Sequence, residues 1–175
     1  MIRIEKFVQK DFEKSEEWLK VCTVADSLIS HLNQPLVLKE INKANQPGVS
    51  SSKVQNVFLE KAQELGFKDE SEGLFKGYQN KRLRPDYFLK LGNTGILMEV
   101  ERGKTNHNNM DFLDFWKCHI CIHAHYLFLC VPQELKQNAT IDRVSRPFQA
   151  TASHMSAFFE PQNYTNVRGM FLIGY

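Results

Sequence analysis

Hydrophobic positions recur at helical spacing through the first third of the chain and give way to strand-like runs afterwards. Residues 13–33 carry Trp18, Leu19, Cys22, Val24, Ala25, Leu28, Ile29 and Leu32 on a helical repeat, and Gln34-Pro35 ends it. Leu36 to Ala44, with Leu36, Leu38 and Ile41, predicts a short helix, and Gln46-Pro47-Gly48 a turn. Ser50-Ser51-Ser52 offers an N-cap to a third helix bearing Val54, Val57, Phe58, Ala62 and Leu65, which Gly66 closes. The pattern then changes. Tyr87-Phe88-Leu89-Lys90-Leu91 and Ile96-Leu97-Met98-Glu99-Val100 read as strands joined by the turn residues Gly92-Asn93-Thr94-Gly95.

Beyond this hairpin, Asn106-His107-Asn108-Asn109 forms a polar loop that caps a helix from about Met110 to His123. Its expected buried positions are Phe112, Phe115, Trp116, Ile120 and Cys121. Tyr126 to Val131 is an unbroken apolar run, as in a strand covered on both faces. Residues 134–150 are polar and partly helical, Thr151 to Glu160 reads as a helix stopped by Pro161, and Met170 to Ile173 as a last strand. The expected fold is α/β. A mixed sheet of four or more strands (85–91, 95–102, 126–131 and 169–174) is flanked by helices, with the first two strands antiparallel neighbours. The length suits one domain, 1–175, with a helical N-terminal part over 1–48 and a core over 49–175.

The hairpin also carries the chemistry. A two-residue loop at Asn93-Thr94 pairs Phe88 with Glu99 and sets Asp86 opposite Glu101, so Asp86, Glu99 and Glu101 crowd one face. A three-residue loop moves Asp86 to the other face. Two carboxylates about 5 Å apart repel by roughly 3 kcal/mol at an effective dielectric of about 20. A hard divalent cation, magnesium or manganese, offsets such repulsion. The bland alternative is an exposed hairpin whose acids pair with Arg84, Arg102 and Lys104.

Pro85-Asp86, followed by Glu99 on the next strand, resembles the PD-(D/E)XK nuclease superfamily. Glu101 stands where a lysine is usual, which resembles the ExE variant of BamHI-like and BglII-like restriction endonucleases. The resemblance covers mainly residues 50–133 and implies a restriction-endonuclease-like fold and magnesium-dependent cleavage of DNA. By that analogy Asp86, Glu99 and the carbonyl of Val100 hold the metal, and Glu101 positions or deprotonates the attacking water. Lys104, three residues past Glu101, points away from a straight strand, and a bend at Gly103 could swing it back as a substitute lysine. Glu60 and Glu64, four apart on one face of the preceding helix, are the candidates for a further metal-associated acid. Cleavage of both strands implies a symmetric homodimer.

Composition constrains this picture only loosely. The net charge of +2 does not announce nucleic acid, but Arg82 and Arg84 before the hairpin and Arg102 and Lys104 after it bracket the acids, as phosphate contacts would. His107 and Asn108 lie in the loop beyond and could reach a phosphate or a base edge. No stretch of about 20 apolar residues suggests a membrane span, and the charged start predicts a cytoplasmic protein. Cys118, His119, Cys121, His123 and His125 contain zinc-ligand types, but no second CxxC or Gly/Pro knuckle accompanies them, so they read as core cysteines. Two other functions compete with the nuclease. One is a DNA-binding regulator using residues 36–66 as a helix-turn-helix; the other is a nicking or replication-relaxation protein of a mobile element.

Overall fold

The computed structural model describes residues 1–69, 74–75, 78, 83–103, 109–136 and 144–175. Among these residues eight strands and five α-helices follow in the order β1 (Arg3–Val8), α1 (Glu16–Leu32), α2 (Pro35–Ala44), α3 (Ser51–Glu64), β2 (Lys68–Asp69), β3 (Tyr87–Leu91), β4 (Thr94–Val100), α4 (Met110–Ile120), β5 (Tyr126–Val131), β6 (Leu135–Lys136), β7 (Val144–Ser145), α5 (Pro147–Ser156) and β8 (Gly169–Gly174). Six strands make one mixed sheet in the order β1-β8-β5-β4-β3-β2, and β6 with β7 make a small ribbon. The central strand β5 runs parallel to both neighbours, β4 and β8. The flanks β1, β3 and β2 are antiparallel to their neighbours. This is the expected α/β architecture, and the four expected strands form its centre.

Helices α1, α2 and α3 cover one face, packing Leu28, Leu32, Phe58 and Ala62 against Met98, Tyr126, Phe128 and Phe171. Helices α4 and α5 cover the other, where Phe115, Cys118, Phe148 and Met155 meet Leu97, Leu127, Leu129 and Leu172. Every residue of β5 and β8 is buried, since each is sandwiched between these layers. Among the described residues, no helix is long and apolar enough to cross a membrane.

Several expectations are corrected. The N-terminal part is not purely helical, because Arg3–Val8 forms a strand at the sheet edge. The hairpin loop is Gly92-Asn93, since Leu91 pairs with Thr94 and Phe88 with Leu97 rather than Glu99. Gly92 has φ +60°, suiting the first central position of a tight hairpin turn. Helix α4 ends at Ile120, where Cys121 turns to extended backbone. Helix α5 starts at Pro147, ahead of the expected Thr151, because proline is well placed in a first helical turn. Trp116, Leu19 and Leu36, all given apolar inward roles by periodicity, lie exposed.

Candidate active site at the acidic hairpin

The observed register pairs Tyr87 with Met98, which brings Asp86, one residue earlier, beside Glu99 rather than Glu101. The Asp86 N–H donates to Glu99 Oε2 at 3.1 Å. Asp86 Oδ2 accepts from the Val100 N–H at 2.8 Å. Its Oδ1 accepts from Gln55 Nε2 of α3 at 3.0 Å. The Tyr87 hydroxyl donates in turn to the Gln55 carbonyl at 3.2 Å, fixing the helix against the hairpin.

Glu99 is 2% exposed and points under α4. There Lys117 Nζ approaches Glu99 Oε1 at 2.7 Å, Asp114 Oδ1 at 2.8 Å and the Arg84 carbonyl at 3.3 Å. An ammonium has three protons to give, and three oxygens surround this one. The Lys117–Asp114 contact is an ion pair without hydrogen-bond alignment, so both buried Asp114 oxygens lack a hydrogen-bond partner. A second buried acid of α4, Asp111, meets His154 Nδ1 of α5 at 2.7 Å.

Charge in this site is unbalanced. Among the described residues Asp86, Glu99 and Asp114 share one buried ammonium, that of Lys117. Burial raises the proton affinity of Glu99 well above the usual carboxylate range; Asp114 and Asp86 add to the rise, and Lys117 opposes it. Burial likewise pushes Asp114 up to about 6, against the pull of Lys117. Burial also raises Asp86, which the Val100 and Gln55 hydrogen bonds partly counter. For Lys117, burial favours the neutral amine, but Glu99 and Asp114 together outweigh it and hold the ammonium charged. The lysine therefore acts as a fixed positive charge, not as a base.

No family model and no curated protein matches this chain. The site is thus read from its own geometry. Among the described residues no three His, Cys, Asp or Glu side chains converge as a ready-made metal cage. The donor set nonetheless fits a hard cation. Asp86 and Glu99 each spend two of about four lone-pair sites on the contacts above. The orphaned Asp114 oxygens and the surplus of acids over ammonium mark a place where added positive charge is favourable.

The remaining expected residues are scattered. Val100 ends β4 with its N–H on Asp86. Glu101 is half-buried just past β4; its N–H donates to the Cys130 carbonyl at 2.9 Å and its own carbonyl accepts from the Tyr175 hydroxyl. Glu60 is exposed on α3; among the described residues the α3 side chain bonded to the acids is Gln55. Arg102 does not project as a phosphate ligand. Its guanidinium donates to the carbonyls of Val49 and Gln46, pinning the loop between α2 and α3. Arg84 is exposed beside the site. Arg82, Lys104, His107 and Asn108 lie outside the described residues. Cys118 and Cys121 are buried in the core beneath α4, and burial raises both thiols.

Lys117 and Asp114 are the residues that sequence periodicity passed over. The faint signal was their place on the same helical stripe as Phe115 and Cys118, where apolar residues are expected.

Proposed function

We propose that this chain is a divalent-metal-dependent hydrolase of DNA phosphodiester bonds, with Asp86 and Glu99 as metal ligands and Lys117 as the cation that the strand lacks at position 101. One observation carries this reading: a buried lysine bonded to the acid of β4, next to a second acid on the paired strand. A bound magnesium or manganese ion would acidify a water molecule and offset charge on the phosphoryl oxygens. The chain's own residues do the rest. Gln55 and the Val100 N–H aim the Asp86 carboxylate. Lys117 opposes protonation of Glu99 and offers fixed positive charge to an incoming phosphate. Glu101, next on the same strand face as Glu99, accepts or orients the water proton. Arg84 contributes a phosphate contact, and Lys104 and Arg82 extend it. The resemblance of Pro85-Asp86 and Glu99 to PD-(D/E)XK nucleases supports the choice of DNA as substrate.

A non-cleaving DNA-binding protein is the second reading. The two hydrogen bonds that Lys117 already donates within the protein and the pairing of both Asp86 oxygens favour it. Incubation of supercoiled plasmid with magnesium, manganese or EDTA decides between them. Cleavage that EDTA abolishes, and that Glu99→Ala and Lys117→Ala remove, supports the enzyme. Binding without cutting supports the second reading, and wild-type cutting by Glu99→Ala removes the catalytic assignment.

A further inference from the structure

We propose that β1 is a self-pairing edge, through which two copies of this chain join antiparallel into one continuous sheet with Ile4 on the two-fold axis. Strand β1 ends the six-stranded sheet, and among the described residues no strand pairs with its outer side. It has no proline, and its Ile4 is 38% exposed. An unpaired row of backbone N–H and C=O groups is a template for another strand.

The side chains select both the partner and the register. Two packed layers cover this sheet, so a dimer keeps each face on its own side only if the axis stands perpendicular to the sheet. Facing residues must then share a face, and the axis must pass through a residue of β1. An axis at Arg3, Glu5 or Lys6 sets like charges directly opposite, which is unfavourable. An axis at Phe7 or Val8 drives the overlap into the 3-10 turn Lys10–Phe12, where the strand has ended. An axis at Ile4 avoids the like charges and the turn, and its overlap ends at Ile2, whose N–H is taken by Asn33 Oδ1. It places Arg3 opposite Glu5 twice, sets Ile4 against its own copy and leaves Lys6 across from Ile2. Arg3 lies over the Phe148 ring and Lys6 over the Phe171 ring, which places them on opposite faces of the sheet, as alternation along a strand requires. The charge pattern is therefore complementary to a second copy in one register.

The test is independent of any nuclease activity. Sedimentation velocity across a concentration series should show a reversible dimer. Glu5→Arg, which faces Arg3 across the axis, should weaken it by about tenfold or more, and the swap Arg3→Glu with Glu5→Arg should restore it to within about threefold. In a Cys22→Ser background, Ile4→Cys should form an intermolecular disulfide, since facing Cα atoms lie about 4.5–5.5 Å apart in antiparallel pairs. Glu5→Cys should not, because its copy is displaced along the strand. The proposal is overturned by a wild type that stays monomeric to about 100 µM. It is equally overturned by a dimer indifferent to Glu5→Arg, by a swap that fails to restore association, or by equal crosslinking through both cysteines.

Discussion

The two faces of the sheet are closed by different physics. Under α1, α2 and α3 the buried contacts are hydrocarbon and aromatic, with Trp18 stacked on Tyr126 at 5.9 Å and Phe128 edge-on to Phe171 at 5.4 Å. Among the described residues the buried charges, Glu99, Asp111, Asp114 and Lys117, all lie on α4 or on the strand position facing it. Apolar burial stabilises at about 25 cal/mol per Å² and needs no partner. A buried charge is tolerated only while its partner remains. The first face should therefore respond to volume, and the second to charge and pH.

The largest expected effect follows from breaking the charged face. Lys117→Ala leaves Glu99 and Asp114 buried without their ammonium and should cost about 3–5 kcal/mol in urea denaturation at neutral pH. Phe58→Ala, on the apolar face, should cost about as much through its cavity. Acid separates the two. The lysine variant should recover stability as the abandoned acids take up protons, whereas the phenylalanine variant should not. Equal pH profiles for the pair would mean that the two faces do not differ as described.

The intact protein should show a weaker form of the same response. The proton affinity of Asp114 is raised from an ordinary 3.8 to about 6 in the folded state, with burial the chief cause. A raised carboxylate means that the folded chain holds its proton longer than the unfolded chain does. The resulting stability is fully present below about pH 4 and is lost as the pH rises through about 6, amounting to at most about 3 kcal/mol. Glu99 acts in the same direction. Comparing Asp114→Asn with the wild type between pH 4.5 and pH 7.5 isolates the effect, since the variant should lack the Asp114 part of the slope.

Removing the charges together should be milder than removing one. Glu99→Gln, Asp114→Asn and Lys117→Met in one chain leave no orphaned ion, and such replacements are neutral or stabilising within about 2 kcal/mol. Metal-dependent cleavage should vanish at the same time. A triple variant as unstable as Lys117→Ala would show that the ionic cluster is itself a net source of stability. A stable triple variant without activity would show that the charged face is kept for chemistry at the expense of easier packing.

The same contrast explains what could be read from the chain. Helices α1 to α3 repeat their apolar residues every three or four positions, and Tyr126–Val131 is apolar throughout, so local pattern alone predicts these elements. Strand β1 escaped because Lys6 breaks the short alternation of Ile2, Arg3, Ile4 and Glu5, as edge strands permit. The end of α4 escaped because Cys118 to Ile122 contains neither glycine nor proline to mark it. At the site, Asp86 and Glu99 are legible because a short hairpin must bring their strands together. Lys117 is not, because its bond to Glu99 spans 18 residues and exists only once α4 lies on the sheet. A lysine on a helix ordinarily reaches water, and no local pattern distinguishes one that turns inward. Arg102 misled for the complementary reason: a basic residue beside acids suggests phosphate contact, yet its guanidinium serves the carbonyls of Val49 and Gln46.

The smallest expected effect lies where the faces meet. Gln55 belongs to the apolar-face helix α3, yet its amide donates to Asp86 of the candidate site at 3.0 Å. Gln55→Ala removes one hydrogen bond and should cost about 1 kcal/mol. The Val100 N–H still holds the other Asp86 oxygen, so the carboxylate should stay in place. Burial already raises its proton affinity, and losing the Gln55 donor removes an opposing influence, so its titration should move further up. A carboxylate that is harder to ionise binds a cation more weakly at neutral pH, because the proton and the cation compete for it. Carboxyl-carbon NMR should place the Asp86 midpoint higher in the variant, and calorimetric titration with manganese should give a weaker affinity that the wild-type value approaches only at higher pH. If midpoint and affinity both stay at the wild-type values, Gln55 does not tune the acid and the apolar helix has no part in the site. Movement of the midpoint without any change in manganese binding would instead remove Asp86 from the metal ligands while leaving the Gln55 contact intact.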